Sequence, residues 1–113
     1  MPVPGSDVAL IAAEKLTEYL LNEEHPVGRS KAKWFQSLGY DQADPKPLEQ
    51  ALLQLVRTSE DYTEKVSPFG TKYVVSGTIR APNGQAVNVT TVWIIEHADD
   101  RLRLVTAYPG EKR

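Results

Sequence analysis

Close to Thr58 the spacing of the apolar residues changes from a helical period to a period of two, and this change restricts the folds open to the chain. Upstream, apolar residues recur three or four positions apart, which is typical of one face of a helix. Downstream, apolar and polar residues alternate, as in strands that bury one face. Helices followed by a run of strands indicate an α+β fold. We therefore predict about three N-terminal helices followed by a four-stranded antiparallel meander, in a single domain of residues 1–113.

The first helical pattern has two possible starts. Ser6 or Asp7 is a suitable N-cap, and the pattern then runs to about Asn22. Alternatively, the helix begins nearer Ala12 after a short extended piece, because the apolar residues just before it fit the helix face poorly. Two further helices are predicted, one from about Ser30 to Leu38 and one with Pro47 in its first turn that ends near Thr58.

The alternating half of the chain predicts four strands, at about Asp61–Val66, Lys72–Arg80, Val87–Glu96 and Leu102–Tyr108. Asn83-Gly84 between the middle two is a strong hairpin signal and predicts a type I′ turn. Strict alternation along the last strand places four side chains on one side, facing the helices: Leu102, Leu104, Thr106 and Tyr108.

The composition excludes several classes of function. Cysteine is absent, which excludes disulfides, thiolate chemistry and sulfur-ligated zinc sites. The first residues lack the pattern of a signal peptide, and no apolar run approaches the roughly 20 residues of a membrane span. We therefore expect a cytoplasmic protein that does not act at membranes. A net charge of −2 argues against coating nucleic acid with the whole surface, but it allows a local basic pocket.

The stretch HPVGRSKAKWF, residues 25–35, gathers basic side chains at the start of the second predicted helix. By helical spacing, Arg29 and Lys33 point away from the apolar stripe, whereas Lys31 points along its middle. Lys31 then has two interpretations: its stem packs on the stripe while the ammonium reaches water, or the ammonium holds an anion beside the N–H groups of the helix start. Gly28 favours the second interpretation, since its missing side chain lets a phosphate approach the backbone.

Two histidines are candidates for acid–base chemistry. His25 is either structural or, with Lys31 close by, a general base or acid, because imidazole titrates near neutrality. His97 is the weaker candidate, since it lies in a predicted turn next to two acids.

The strands supply the remaining candidates. Thr106 and Tyr108 either form buried hydrogen bonds or line a cleft. Trp93 is either a core residue or a platform on which a base stacks. Phosphate-binding loops, dinucleotide-binding glycine patterns, paired metal-binding histidines and nucleophile turns are absent from the sequence. We predict no metal site and no cofactor.

The stretches KLTEYLLNEEHPVGRSKAKWF, GTKYVVSGTI, APNGQ, TTVWII and RLVTAYP together resemble a family of small bacterial proteins catalogued as a domain of unknown function. Its HPxGxxKAxxF motif corresponds here to His25, Pro26, Gly28, Lys31, Ala32 and Phe35. Later elements correspond to Gly70, Tyr73, Gly84, Trp93 and Tyr108.

The helical front, the four-stranded sheet, the His/Lys pair and the closing T-x-Y-P also look like the barnase–EndoU–colicin–RelE group of RNase toxins. This resemblance implies a metal-independent ribonuclease of a toxin–antitoxin-type pair, with RNA as substrate and a cognate antitoxin as partner. His25 would then be the base and Lys31 the residue that offsets phosphate charge, with Thr106 or Tyr108 positioning the phosphate. Arg29 would steer the substrate. The alternative is a non-enzymatic interaction module that binds a partner protein of a two-gene system.

Overall fold

A computed structural model describes residues 3–26, 29–60, 62–96 and 99–110, with only the backbone of 99 and 100. A 3₁₀ turn (Ser6–Val8) is followed by α1 (Ala13–Lys15), which continues into a π-helical turn (Leu16–Leu20), and by α2 (Arg29–Ser37) and α3 (Lys46–Thr58). The strands are β1 (Tyr62–Ser67), β2 (Gly70–Arg80), β3 (Ala86–Glu96) and β4 (Asp99–Pro109). They form one antiparallel sheet in chain order. The predicted α+β fold is confirmed.

The segment before α1 is extended and pairs with the sheet. The Leu10 N–H donates to the Leu102 carbonyl at 2.8 Å, and the Leu104 N–H donates to the Leu10 carbonyl at 3.2 Å, in a parallel bridge. A continuous helix from Ser6 is therefore wrong, and the start near Ala12 is confirmed. The segment satisfies backbone groups on the outer edge of β4 that would otherwise face solvent.

The helix that begins at Ala13 widens into a π turn. The Leu21 N–H donates to the Leu16 carbonyl, five residues earlier, at 2.8 Å. Leu16 and Leu20 are fully buried, whereas Tyr19 between them is half-buried. π turns occur often at functional sites. Here the turn places Tyr19 beside strand β4.

The longest helix, α3, packs on β2 through an apolar stripe whose buried members are Leu48, Leu52, Leu55 and Val56. Gly77 allows this close packing, because a Cβ there would come within 2.5 Å of Leu55 Cδ1. One cluster of buried side chains joins the helices to the inner face of the sheet.

The β2–β3 hairpin has a different turn from the predicted one. The Gly84 N–H donates to the Ala81 carbonyl at 2.9 Å, and the Ala81 N–H donates to the Gln85 carbonyl at 2.8 Å, so the loop has three residues. Asn83 keeps a negative φ and only Gly84 is left-handed, at 91°. A type I′ turn needs both in the left-handed region, so that prediction is wrong. Pro82, with its fixed φ, suits the first central position of the turn that forms instead.

A β-bulge in β4 changes which side chains face the helices. Trp93 pairs with Leu104 and Val92 pairs with Thr106, so Val105 is an extra residue. Beyond the bulge the buried residue is Ala107. The predicted shared side of Leu102, Leu104, Thr106 and Tyr108 is therefore wrong, because one inserted residue reverses the alternation that follows it.

Candidate functional site

Lys31 lies on α2 beside the two side chains that fix this helix to the core, Ala32 and Phe35, both fully buried. Lys31 itself is half-buried. Its ammonium donates a hydrogen bond of 2.8 Å to the hydroxyl of Tyr19 on the π turn. The Lys31 ammonium is therefore held by a specific hydrogen-bond acceptor, the Tyr19 hydroxyl. Lys33, as the helical spacing predicts, is exposed on the other side of α2.

Tyr19 is the centre of the site. Its hydroxyl also lies 3.1 Å from Thr106 Oγ1 on β4. The His25 ring packs edge-on against the tyrosine ring, with centroids 5.0 Å apart and planes at 76°. The Lys15 ammonium lies 5.4 Å from the ring centroid. We call these five residues, Lys15, Tyr19, His25, Lys31 and Thr106, the Tyr19 cluster.

The two lysines act on Tyr19 differently. Lys31 Nζ lies 5.2 Å from the ring centroid but only 2.8 Å from the hydroxyl, so it sits beyond the ring edge rather than over the face. Lys15 acts through its charge and the ring, with no hydrogen bond to the hydroxyl among the described contacts.

The pKa of Tyr19 lies below its ordinary value. Burial of the phenol raises the pKa, but this effect is outweighed by the hydrogen bonds with Lys31 and Thr106 and by the positive charges of Lys31 and Lys15. Each of these interactions favours the phenolate. A phenol whose pKa is lowered by fixed cations is a better proton donor near neutral pH and a candidate acid–base group.

A short turn holds His25 beside Tyr19. The Asn22 side chain accepts a hydrogen bond from the Glu24 N–H at 2.9 Å, and the Asn22 carbonyl accepts one from the His25 N–H at 3.2 Å. Asparagine often stabilises turns in this way. The His25 carbonyl in turn accepts a 3.0 Å bond from the N–H of Arg29, the first residue of α2. The turn therefore links the π turn to the helix that carries Lys31.

The bulge determines the position of Thr106. Thr106 pairs with Val92 and Tyr108 with Thr90, while the Ala107–Thr91 pair between them is buried. Thr106 and Tyr108 therefore lie on the outer face of the sheet, opposite the face that packs against α3. Thr106 reaches Tyr19, whereas Tyr108 belongs to a groove on the outer face and does not join the cluster.

Other predicted site residues lie elsewhere. Trp93 is fully buried, and its Nε1–H donates at 2.8 Å to Thr91 Oγ1, so its ring offers no face for a base and the core interpretation holds. The Arg29 side chain is exposed. Gly28 and His97 lie outside the described residues.

Sequence reasoning missed Tyr19 and Lys15 as site residues. Tyr19 falls on the broad apolar face of the first predicted helix, and this position predicts an aromatic side chain of the core. Lys15 precedes Tyr19 by one helical turn. The available signal was a phenol among aliphatic core positions, since a buried hydroxyl needs a partner.

The described residues contain no group of three or more metal-ligating side chains that could hold a metal ion. The described helices likewise include none that is long and apolar enough to cross a membrane.

A family model described as a domain of unknown function (DUF6883) matches residues 3–111. The chain therefore belongs to that family, and the predicted membership of a domain-of-unknown-function family is confirmed. No curated protein matches the chain. Among solved structures, a chain of a contact-dependent growth inhibition toxin–immunity protein complex from Klebsiella pneumoniae 342 has a similar fold. The TM-score is 0.71 at 18% identity, and the match covers 90% of this chain and 100% of the other.

Proposed function

We propose that this member of the DUF6883 family is a toxin-like domain that cleaves RNA without a metal ion, with the Tyr19 cluster as its catalytic centre. The observation that carries the proposal is the convergence of Lys31 and Thr106 on the Tyr19 hydroxyl, at 2.8 Å and 3.1 Å, with His25 against the same ring. A base, an acid of lowered pKa and a cation are the groups that phosphodiester cleavage requires.

The proposed reaction uses the ribose as nucleophile. His25 removes the proton of the 2′-hydroxyl, whose oxygen forms a bond to the adjacent phosphorus. The bond from phosphorus to the 5′-oxygen breaks, and Tyr19 gives its proton to that leaving oxygen. Lys31 stabilises both the phosphate charge and the phenolate that remains, and Thr106 positions the phosphate. The products are a 2′,3′-cyclic phosphate and a 5′-hydroxyl, and solvent returns the proton from His25 to Tyr19.

Two further observations support a toxin-system role. The helical front, the alternating strands and the His/Lys pair of the sequence predict a likeness to RNase toxins. The solved chain of similar fold belongs to a toxin–immunity protein complex. Similarity of fold alone is weak support for an activity. The proposal therefore rests mainly on the geometry of the Tyr19 cluster.

The test is incubation of the purified protein with total cellular RNA in a buffer containing a metal chelator. We expect cleavage that leaves 2′,3′-cyclic phosphate ends. Four substitutions in the cluster should each reduce the cleavage rate: His25→Ala, Lys31→Ala, Tyr19→Phe and Thr106→Val. Loss of the base, His25, or of the acid, Tyr19, should lower the rate on the order of 100-fold or more.

Two matched variants control for loss of charge and of a phenol. Lys33→Ala removes an exposed lysine of the same helix, and Tyr40→Phe removes a tyrosine hydroxyl from the core. Both should cleave at the wild-type rate. RNA left intact at high protein concentration, or equal cleavage by the folded cluster variants, would contradict the proposal.

A second candidate function is a protein-interaction module, and it is favoured by the β1–β2 hairpin. Val66 and Phe69 at its tip are 79% and 78% exposed. The described residues pair β1 only with β2, so its other edge can accept a strand. If RNA stays intact, we expect the chain to co-purify with the protein encoded beside it. Phe69→Ser should abolish this co-purification, whereas Lys31→Ala should preserve it.

A further inference from the structure

The outer face of the sheet is basic although the whole chain has a net charge of −2. The buried residues of each strand define the inner face, and alternation places the intervening side chains on the outer one. Five of these are cations: Lys65, Lys72, Arg80, Arg101 and Arg103. By register two acidic positions share this face, Glu96 and, opposite it on β4, Asp99. Glu64 faces inward and accepts a 3.0 Å hydrogen bond from Tyr73.

Two of the cations are directly opposed. Lys65 on β1 pairs with Lys72 on β2, and both side chains are exposed. Like charges in directly opposite positions destabilise a sheet. The pair therefore costs stability in the isolated protein, and an anion bound between the two ammonium groups would remove that cost.

Beside the cations lies a polar groove of about 650 Å³. Hydroxyls of neighbouring strands line it, with Ser76 and Thr90 3.0 Å apart. Tyr108, 37% exposed, lies opposite Thr90 on β4. The groove thus combines hydroxyl groups, which bind sugars and phosphates, with the exposed ring of Tyr108, which is accessible to a planar base.

The same face leads directly to the Tyr19 cluster. Thr106, which contacts Tyr19, lies two residues before Tyr108 on the same side of β4. On the other side of the cluster lies a second groove of about 460 Å³, whose charged lining residues are Lys15, Arg103 and Glu96. A chain molecule that runs along the outer face from one groove to the other would therefore pass the cluster.

We propose that the outer face binds single-stranded RNA, with the lysine pair and the arginines on its phosphates and a base stacked on Tyr108. The choice of RNA as the polyanion rests on the proposed function. Cations that neutralise phosphates make binding salt-dependent, with a slope of about −0.7 per phosphate for single strands. Contact with three phosphates predicts a slope near −2.

The test is fluorescence anisotropy of the full chain with a labelled 2′-O-methyl oligonucleotide, which cannot be cleaved through its blocked 2′-oxygens. Lys65→Glu should weaken binding about tenfold while raising the unfolding free energy, because it converts a like-charge pair into an opposite-charge pair. Weaker binding by a more stable variant cannot come from misfolding. Lys33→Glu, which makes the same charge change on α2, should bind within twofold of wild type, and Tyr108→Ala should lose about tenfold.

Three results would overturn the inference. They are the absence of binding at low salt, equal weakening by Lys65→Glu and Lys33→Glu, and equally tight binding of polyglutamate, which would mark the face as a surface for acidic proteins. Failure of the proposed function is separate. If the protein binds the oligonucleotide with the expected effects of the variants but cleaves no RNA, the binding inference stands and the proposed ribonuclease activity is refuted.

Discussion

The hydrogen bond between Lys31 Nζ and the Tyr19 hydroxyl, 2.8 Å long, should be measurable as a coupling free energy. A hydrogen bond to a charged group contributes about 1.5–3 kcal/mol when buried, whereas exposed charged pairs contribute about 0.2–1 kcal/mol. Both side chains are half-buried, so we expect a coupling of about 1 kcal/mol between Lys31→Met and Tyr19→Phe. A double-mutant cycle is needed, because Tyr19→Phe alone also removes the bond with Thr106.

The assay is urea denaturation of the wild type, both single variants and the double variant, followed by the fluorescence of the two tryptophans, the half-buried Trp34 and the buried Trp93. A second cycle combines Lys33→Met with Tyr19→Phe, and it should show no coupling, since Lys33 is exposed on the opposite side of the same helix. A Lys31–Tyr19 coupling below about 0.3 kcal/mol, which is within the usual error of additivity, would refute the hydrogen bond on which the site is built. Equal coupling in both cycles would refute it as well, because it would report a general charge effect.

Three other predictions concern the ionisation of Tyr19, the hydrogen bond of the Trp93 indole and the packing at Gly77. Tyr19 should ionise at a lower pH than an ordinary tyrosine in a spectrophotometric titration, and the stability of the wild type relative to Tyr19→Phe should rise as the pH increases from that lowered pKa towards about 10. Thr91→Val should lower the unfolding free energy by about 1–3 kcal/mol, because the buried Trp93 indole N–H loses its acceptor; an unchanged urea midpoint would contradict this. Gly77→Ala should cost about 1 kcal/mol through overpacking against Leu55, and the cost should disappear when Leu55→Ala is already present.

Local signals predicted most of the fold. The apolar stripe and Pro47 placed α3, and alternation placed all four strands to within a few residues. The type I′ turn was wrong because Pro82, one residue before the Asn-Gly pair, lengthened the loop to three residues. The face of β4 was wrong because Val105 bulges, and the sequence carries no sign of that bulge.

The candidate site was only partly predictable. Lys31 was identified by its unusual place on an apolar helix face, and His25 by its place in the preceding turn. Thr106 was named as a candidate on the wrong face of the sheet, since its position depends on the bulge. The spacing predicts a core aromatic at Tyr19, because nothing in the sequence shows that a π turn directs this side chain to β4.

By itself, the sequence determined what local interactions control: which segments are helices and strands, which sides of them are apolar, and that one lysine lies against an apolar face. Only the tertiary structure decided what those side chains meet. Tyr19 and Thr106 are 87 positions apart along the chain, and their contact depends on strand register and on one extra residue in β4. The basic outer face is likewise invisible in a chain of net charge −2, because charge segregation arises only when strands pair and alternate side chains are sorted between two faces.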